Sequence, residues 1–374
     1  MSIYLDYNAT APVRPEAKAA VVRALEISGN PSSVHAAGRA ARSLIEAARA
    51  QVAALVAVLP GSITFTSGGT ESNALAIESA VAAGYDRILL GATEHGAVAE
   101  NVRAAGVPVE VWPVDADGVA DLAWLAQALG KGGRPLVCLM LANNETGVIQ
   151  PVAQAAALVR EAGGWLHVDA VQAAGKVAID FNALGADTLA LAAHKIGGPF
   201  GVGALAAGPR ATLVRRLHGG GQERGRRAGA ENLSGIAGFG AAADAAVRDL
   251  DAIAAQGSWR DALQDRVEAA GATVLGKGAP RLPQTLGFAA PGFDAQMQVM
   301  GLDLAGVMIS AGPACSSGKM KPSDVVAAMG RPDLAPFAIR VSGGWGSTED
   351  DWIRAGDAWL EAYARHSARR KEVA

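Results

Sequence analysis

The sequence predicts an α/β fold: a large unit built on a doubly wound sheet, with a smaller α/β unit beside it. Three observations lead there. From residue 63 to residue 206, short apolar runs alternate with stretches of helical period, the pattern of successive βα units. Polar residues cluster after each apolar run, and ligands of such sheets bind at the carboxyl ends of the strands. The 374 residues are enough for one large domain and a smaller one.

Taken in order, residues 3–7 read as a short strand or arm, turned by Asn8-Ala-Thr-Ala-Pro12. Residues 15–27 and 35–59 have helical periodicity and stop at Gly29 and at Pro60-Gly61. A strand at 63–66 runs into Ser67-Gly-Gly-Thr-Glu-Ser-Asn73, with a helix from 74 to 83. A glycine loop before a helix N-terminus can cradle an anion, since amides and dipole favour negative charge and Gly68 and Gly69 allow close approach. An ordinary turn capped by Thr70 fits the same residues.

The strand at 87–90 ends in Thr93-Glu-His95, where His95 suits either stacking on a ring and moving protons or a surface hydrogen bond. A helix (97–105), a strand (107–112) and a helix (121–129) follow. The strand at 136–141 buries Cys138 and ends in Asn143-Asn-Glu-Thr-Gly147, followed by a helix at 151–162. The strand at 165–168 ends at Asp169, with Gln172 three residues on. A carboxylate there needs a partner, either a pyridinium nitrogen or a metal. The strand alternation is read as turning His167 and Asp169 to opposite faces, against a joint ligand set.

An apolar run at 187–192 leads to His194 and Lys195, then Gly197-Gly198-Pro199 and a returning strand at 201–206. A lysine in partly apolar surroundings loses affinity for its proton and becomes a nucleophile, as a Schiff base with a carbonyl cofactor requires. The segment 218–229 reads as a flexible basic loop whose Arg224, Arg226 and Arg227 suit an anion. A helix at 233–254 leads to a joint at Gln256-Gly257-Ser258, after which the chain reads as a smaller α/β unit. The second unit carries helices at 259–270, 296–304 and 323–329, extended segments at 281–288, 307–309 and 337–341, and a last helix from Thr348. Ser310-Ala-Gly-Pro-Ala-Cys-Ser-Ser-Gly318 puts Cys315 among small residues, accessible as a reactive thiol must be. Arg340, the one charge in its strand, calls for a carboxylate partner.

Composition narrows the function classes. Net charge is −3, with 33 basic and 36 acidic residues, which argues against nucleic-acid and membrane-surface partners. No apolar run reaches the roughly 18–20 residues of a membrane span, and no signal peptide is expected at the start. Two distant cysteines are no disulfide framework and fit a reducing, cytoplasmic setting. Half the residues are hydrophobic and 5% aromatic, so a core of Ala, Val and Leu is expected.

In series, Tyr4-Leu-Asp-Tyr-Asn-Ala-Thr10, Gly29-Asn-Pro-Ser-Ser33, Thr66-Ser-Gly-Gly-Thr-Glu-Ser72, Thr93-Glu-His95, Asn143-Asn-Glu-Thr-Gly147, His167-Val-Asp169, His194-Lys195, Gly219-Gly-Gly221, Ala314-Cys-Ser316 and Ile339-Arg340 span nearly the whole chain. On them the chain resembles the cysteine desulfurases of class V of the pyridoxal-phosphate aminotransferase superfamily, the group serving iron–sulfur cluster and nitrogenase assembly. The resemblance implies the pyridoxal-phosphate-dependent transferase fold type I, with a large cofactor-binding domain (14–255) on a mainly parallel seven-stranded sheet and a small domain made from both chain ends (1–13 and 256–374), working as a homodimer. It implies that Lys195 carries pyridoxal 5'-phosphate, that Gly69, Thr70 and His194 hold its phosphate, and that Asp169 meets the ring nitrogen. Gln172 and Asn144 would meet the ring oxygen, with Asn144 also serving the substrate. His95 would stack on the ring and take part in catalysis, and Arg340 would grip the carboxylate of L-cysteine. Cys315 would accept the sulfur and pass it to a protein such as an iron–sulfur scaffold. A related class V lyase or aminotransferase, selenocysteine lyase-like, and a cofactor-poor binding protein are the alternatives. Three departures bear on cofactor affinity: Ala192, Ala230 and Gln222 stand where the family has serine, threonine and histidine. The two missing hydroxyls would be worth about 1.5–3 kcal/mol each against a charged group, and Arg226 or Arg227 is the expected compensation.

Overall fold

The computed structural model of the chain describes residues 2–312 and 321–373. It opens with β1 (Ile3–Tyr4), α1 (Pro15–Leu25) and α2 (Ala36–Leu55). His35 caps α2 through Gly38 N, and α2 stops short of the expected residue 59 because Ala57 turns to a φ of 53°. The βα alternation follows: β2 (Ile63–Thr66), α3 (Gly69–Ala82), β3 (Arg87–Gly91), α4 (Gly96–Ala104), β4 (Val109–Trp112), α5 (Leu122–Leu129). It continues through β5 (Pro135–Met140), α6 (Val152–Glu161), β6 (Trp165–Asp169), α7 (Phe181–Leu184), β7 (Thr188–Ala192) and β8 (Gly203–Ala207).

Among the described residues these strands form one seven-stranded sheet in the order β2-β8-β7-β6-β5-β3-β4. Every pairing is parallel except the two made by β8, the returning strand. The central strands are buried along their whole length, which explains why they read as unbroken apolar runs.

The helix expected to end at 254 is two helices, α8 (Leu233–Arg248) and α9 (Leu250–Ala269), parted at Asp249. The predicted joint at Gln256-Gly257-Ser258 is therefore helical, since α9 runs through it. β9 (Thr273–Val274), β10 (Thr285–Ala289), α10 (Ala295–Leu304), β11 (Val307–Met308), β12 (Ser310–Ala311), α11 (Asp324–Ala328), β13 (Ala338–Ser342) and α12 (Glu349–Val373) complete the chain. A four-stranded antiparallel sheet, β12-β13-β10-β9, forms here, while β11 pairs with β1. The N-terminal segment then crosses to the large sheet: Tyr7 N bonds Ser342 O, Ala11 N bonds His194 O, and Arg14 N bonds Gly197 O.

The expectation of a purely aliphatic core is corrected. Trp112, Trp165, Trp352 and Trp359 are all fully buried, although the chain is poor in aromatics. Trp359 meets Phe288 edge-on at 5.1 Å in the core under the small sheet. Among the described residues no helix is long and apolar enough to cross a membrane.

Candidate active site

A cavity of about 290 Å³ opens at the carboxyl ends of β5, β6 and β7, against the first turn of α3. Gly69, Thr70, His95, Asn144, Asp169, Gln172, His194 and Lys195 all line it, although they come from five separate stretches of chain. Arg340 stands behind Asn144, whose carbonyl accepts from Arg340 NH1 at 2.8 Å. Cys315 lies outside the described residues.

Lys195 follows β7 on a single 3-10 turn. Its Nζ donates to the carbonyls of Asn8 at 2.6 Å and Ala9 at 2.8 Å. Burial, then the nearby Arg340 guanidinium, pull its pKa down to about 8, while Asp6 and Asp169 act in the opposite sense. A free lysine is almost wholly protonated at neutral pH, whereas this one carries a usable fraction of free amine.

Asp169 ends β6 and is buried. Its Oδ1 accepts from Val171 N at 2.9 Å and its Oδ2 from Asn73 Nδ2 at 2.8 Å. Asn73 Oδ1 in turn lies 2.9 Å from His167 Nε2. The expectation that His167 and Asp169 face opposite ways is thus corrected: two residues apart on a strand share a face, and Asn73 joins them. Since Asn73 Oδ1 only accepts, His167 carries its proton on Nε2. Its Nδ1 therefore accepts from Thr188 Oγ1 at 3.0 Å, and Thr188 Oγ1 accepts from Trp165 Nε1 at 3.1 Å. A buried line of donors, Trp165 to Thr188 to His167 to Asn73, converges on the carboxylate. Burial holds His167 neutral, its pKa lowered to about 3.

His95 caps α4, its Nδ1 accepting from Ala97 N at 3.0 Å, so its proton resides on Nε2. Burial lowers its pKa, with Lys195 acting in the same sense and Asp169 against. His194 stacks on Phe200 and holds Thr10 Oγ1 at 3.3 Å from Nδ1. Burial, Lys195 and Lys176 lower its pKa to about 4. Gln172 Nε2 donates to Asn8 O at 2.8 Å. Arg340 has the carboxylate partner its strand called for: NH2 donates to Asp6 Oδ1 at 2.7 Å. Its Nε is buried without a partner among the described residues.

Two expectations about the glycine segments change. Helix α3 begins at Gly69, so Thr70 lies in its first turn rather than in a loop. Gly68, its N-cap, makes no side-chain cap bond, and Glu71 reaches back to Ser67 N at 2.7 Å. A side chain at Gly69 would meet Val171 at 2.9 Å, so glycine is favoured there. The segment 218–229 is not a free basic loop. Glu223, buried, accepts two bonds from Arg49 and one from Phe65 N. Arg227 donates to both oxygens of Glu71, and Arg226 to Gly61 O and Thr64 Oγ1. The anion Arg227 meets is Glu71, while the acceptors of Arg226 are neutral.

Sequence reasoning missed Asn8, Asn73, Asp6 and Lys176. Asn8 was read as turn chemistry and Asn73 as a helix lead-in, yet both are buried at 1% and 0% exposure. A buried carboxamide signals a network, but its burial is not written locally. The arrangement fits a phosphorylated aromatic aldehyde: the α3 N-terminus for an anion, Lys195 for a carbonyl, Asp169 for a ring nitrogen.

The family model for aminotransferase class-V matches residues 3–351. A cysteine desulfurase of Cereibacter sphaeroides is 44% identical over 352 residues, covering 91% of this chain and 90% of that one. Cysteine desulfurase IscS of Dictyoglomus turgidum is 38% identical over 360 residues, covering 93% and 91%. The crystal structure of a NifS-like protein from Rickettsia africae superposes with a TM-score of 0.89 at 32% identity, covering 97% of this chain and all (100%) of that one.

Proposed function

The chain belongs to the aminotransferase class-V family, and from that premise we propose that it is a cysteine desulfurase dependent on pyridoxal phosphate. The observation that carries this reading is the pairing of a softened buried amine, Lys195, with a hydrogen-bonded buried carboxylate, Asp169, in one cavity. When bound, the cofactor supplies an electrophilic aldehyde and a ring that accepts an electron pair.

This chain's residues do the rest. Gly69, Thr70 and His194 would hold the phosphate, Asp169 would meet the ring nitrogen, and Gln172 and Asn144 would meet the ring oxygen. His95 would lie against the ring and offer a proton at Nε2. Arg340, bonded to the Asn144 carbonyl and to Asp6, would bind the carboxylate of L-cysteine in exchange for Asp6 or beside it. Lys195 Nζ would hold the aldehyde group and, once freed by the substrate's amine, would move the substrate's α-proton. Cys315, as thiolate, would attack the substrate sulfur: a sulfur–sulfur bond forms as the carbon–sulfur bond breaks, the bonding pair stays with the β-carbon, which takes up a proton, and the carbon skeleton leaves as L-alanine with a persulfide on the enzyme. A sulfur-accepting protein of the iron–sulfur scaffold type then removes it. The protein works in the cytoplasm as a homodimer.

L-cysteine given to the loaded protein tests this. Alanine and sulfide should appear in equal amounts with a reductant present. Lys195→Ala should abolish both, and Cys315→Ala should abolish sulfide release. Alanine formation that tracks keto-acid consumption, with no need of Cys315, would favour an aminotransferase instead.

A further inference from the structure

Lys176 is buried at 5% exposure beside the cavity, and no role above uses it. Gly175, at a φ of +69°, turns the chain so that Lys176 comes back under Gln172. Lys176 Nζ donates to Gln172 Oε1 at 2.9 Å and, at the long limit of 3.5 Å, to Asn8 Oδ1. Both acceptors are neutral. The charges that act on the amine, Lys195 and Arg340, are both positive, and burial outweighs them in driving its pKa well below the ordinary lysine value. A methionine of similar length would be buried here at less cost. Ion pairing therefore does not account for an amine at this position; its hydrogen bonds must.

Those bonds decide a polarity. The Asn8 carbonyl accepts from Gln172 Nε2 at 2.8 Å and from Lys195 Nζ at 2.6 Å. A carbonyl oxygen can only accept, so it requires the NH2 end of Gln172 on its side. That leaves Oε1 pointing at Lys176, which can donate. Held from both ends, the carboxamide keeps one N–H on Asn8 and has its second N–H left for the cavity that Gln172 lines. We propose that Lys176 is a positioning residue: by donating to Gln172 Oε1 it fixes the Gln172 carboxamide as a donor toward the cofactor's ring oxygen. The inference rests on the reading of the cavity as a pyridoxal-phosphate site.

The experiment titrates apoprotein with pyridoxal phosphate and records the affinity, the visible spectrum and the thermal midpoint of the apo form. Lys176→Met should raise the Kd about tenfold, the loss expected when a buried hydrogen bond goes. It should also move intensity from the yellow band toward the near-ultraviolet, since an unassisted ring oxygen holds its own proton. The apo form should still unfold in one cooperative thermal transition, so that the loss of affinity is not a loss of folding. Lys176→Gln, which keeps an N–H donor, should retain the wild-type spectrum and affinity. In a Gln172→Met background, Lys176→Met should add nothing, because the residue acts through Gln172. If the single Lys176→Met variant fails to fold, Lys176→Gln carries the test: a loss of affinity or of the yellow band in that folded, donor-keeping variant would overturn the inference. A Lys176→Met protein with wild-type spectrum and affinity, or effects of the two substitutions that add, would overturn the inference. If the wild-type protein shows no visible band with pyridoxal phosphate, the reading of the cavity fails and the inference falls with it.

Discussion

Burial and then Arg340 lower the pKa of Lys195 to about 8, and this has a direct kinetic consequence. The rate at which apoprotein captures pyridoxal phosphate should rise with pH and level off above about 8, where the amine is neutral. Stopped-flow absorbance checks it; a rate still rising toward 10.5, the ordinary lysine value, would contradict the assignment. Asn73 is the second residue on which the site turns. Asn73→Ala removes the donor to Asp169 and the acceptor for His167 together. Two buried polar groups lose partners, at a cost of about 2–4 kcal/mol, measurable by urea unfolding of the apoprotein. The chemistry-bearing side chains were legible because Lys195, Asp169, His95 and Asn144 follow apolar strands. Asn8 and Asn73 were not, because their burial comes from chain segments up to 334 residues away, as the bond from Asn8 N to Ser342 Oγ shows.

The elements were legible wherever hydrophobic period decides them, and β2 to β8 fall within two residues of their expected ends. Two failures have physical causes. Gly69 counts against a helix by propensity, yet α3 starts there, and the 2.9 Å approach of Val171 to the position of a Cβ favours glycine at that site. The segment 218–229 has the composition of a solvated loop, but Glu223 and Arg224 adopt φ of 47° and 58° and Glu223 anchors it. The Arg49–Glu223 pair is 5% and 3% exposed, and breaking such a pair strands a buried charge. Glu223→Ala should cost roughly 3–5 kcal/mol and open Arg224, Arg226 and Arg227 to trypsin. Replacing both partners with methionine should recover part of that stability. Unchanged proteolysis in Glu223→Ala would show that the segment is held by other contacts.

Across the whole molecule, the N-terminal segment ties the two sheets to one cavity: Asp6 holds Arg340 while Asn8 and Ala9 hold Lys195. Buried histidines set its tolerance of acid. His167 and His194 titrate at about 3 and about 4 in the fold, against 6.5 in the unfolded chain. Between 6.5 and about 4 the unfolded chain binds more protons at these sites, so their contribution to stability falls as pH falls. The raised carboxyls of Glu94 and Glu145, both shifted by burial, act in the opposite sense. The comparison of wild type with His167→Gln is therefore the informative one, and the variant should lose stability less steeply over that range. The central claim is that one amine, Lys195, holds the cofactor opposite Asp169. Borohydride reduction of the loaded protein, followed by peptide mass mapping, tests it most directly. The account predicts a pyridoxyl group on Lys195 in the wild type and none in Lys195→Ala. A label on Lys176 or on a surface lysine, or none at all on the wild type, would contradict it.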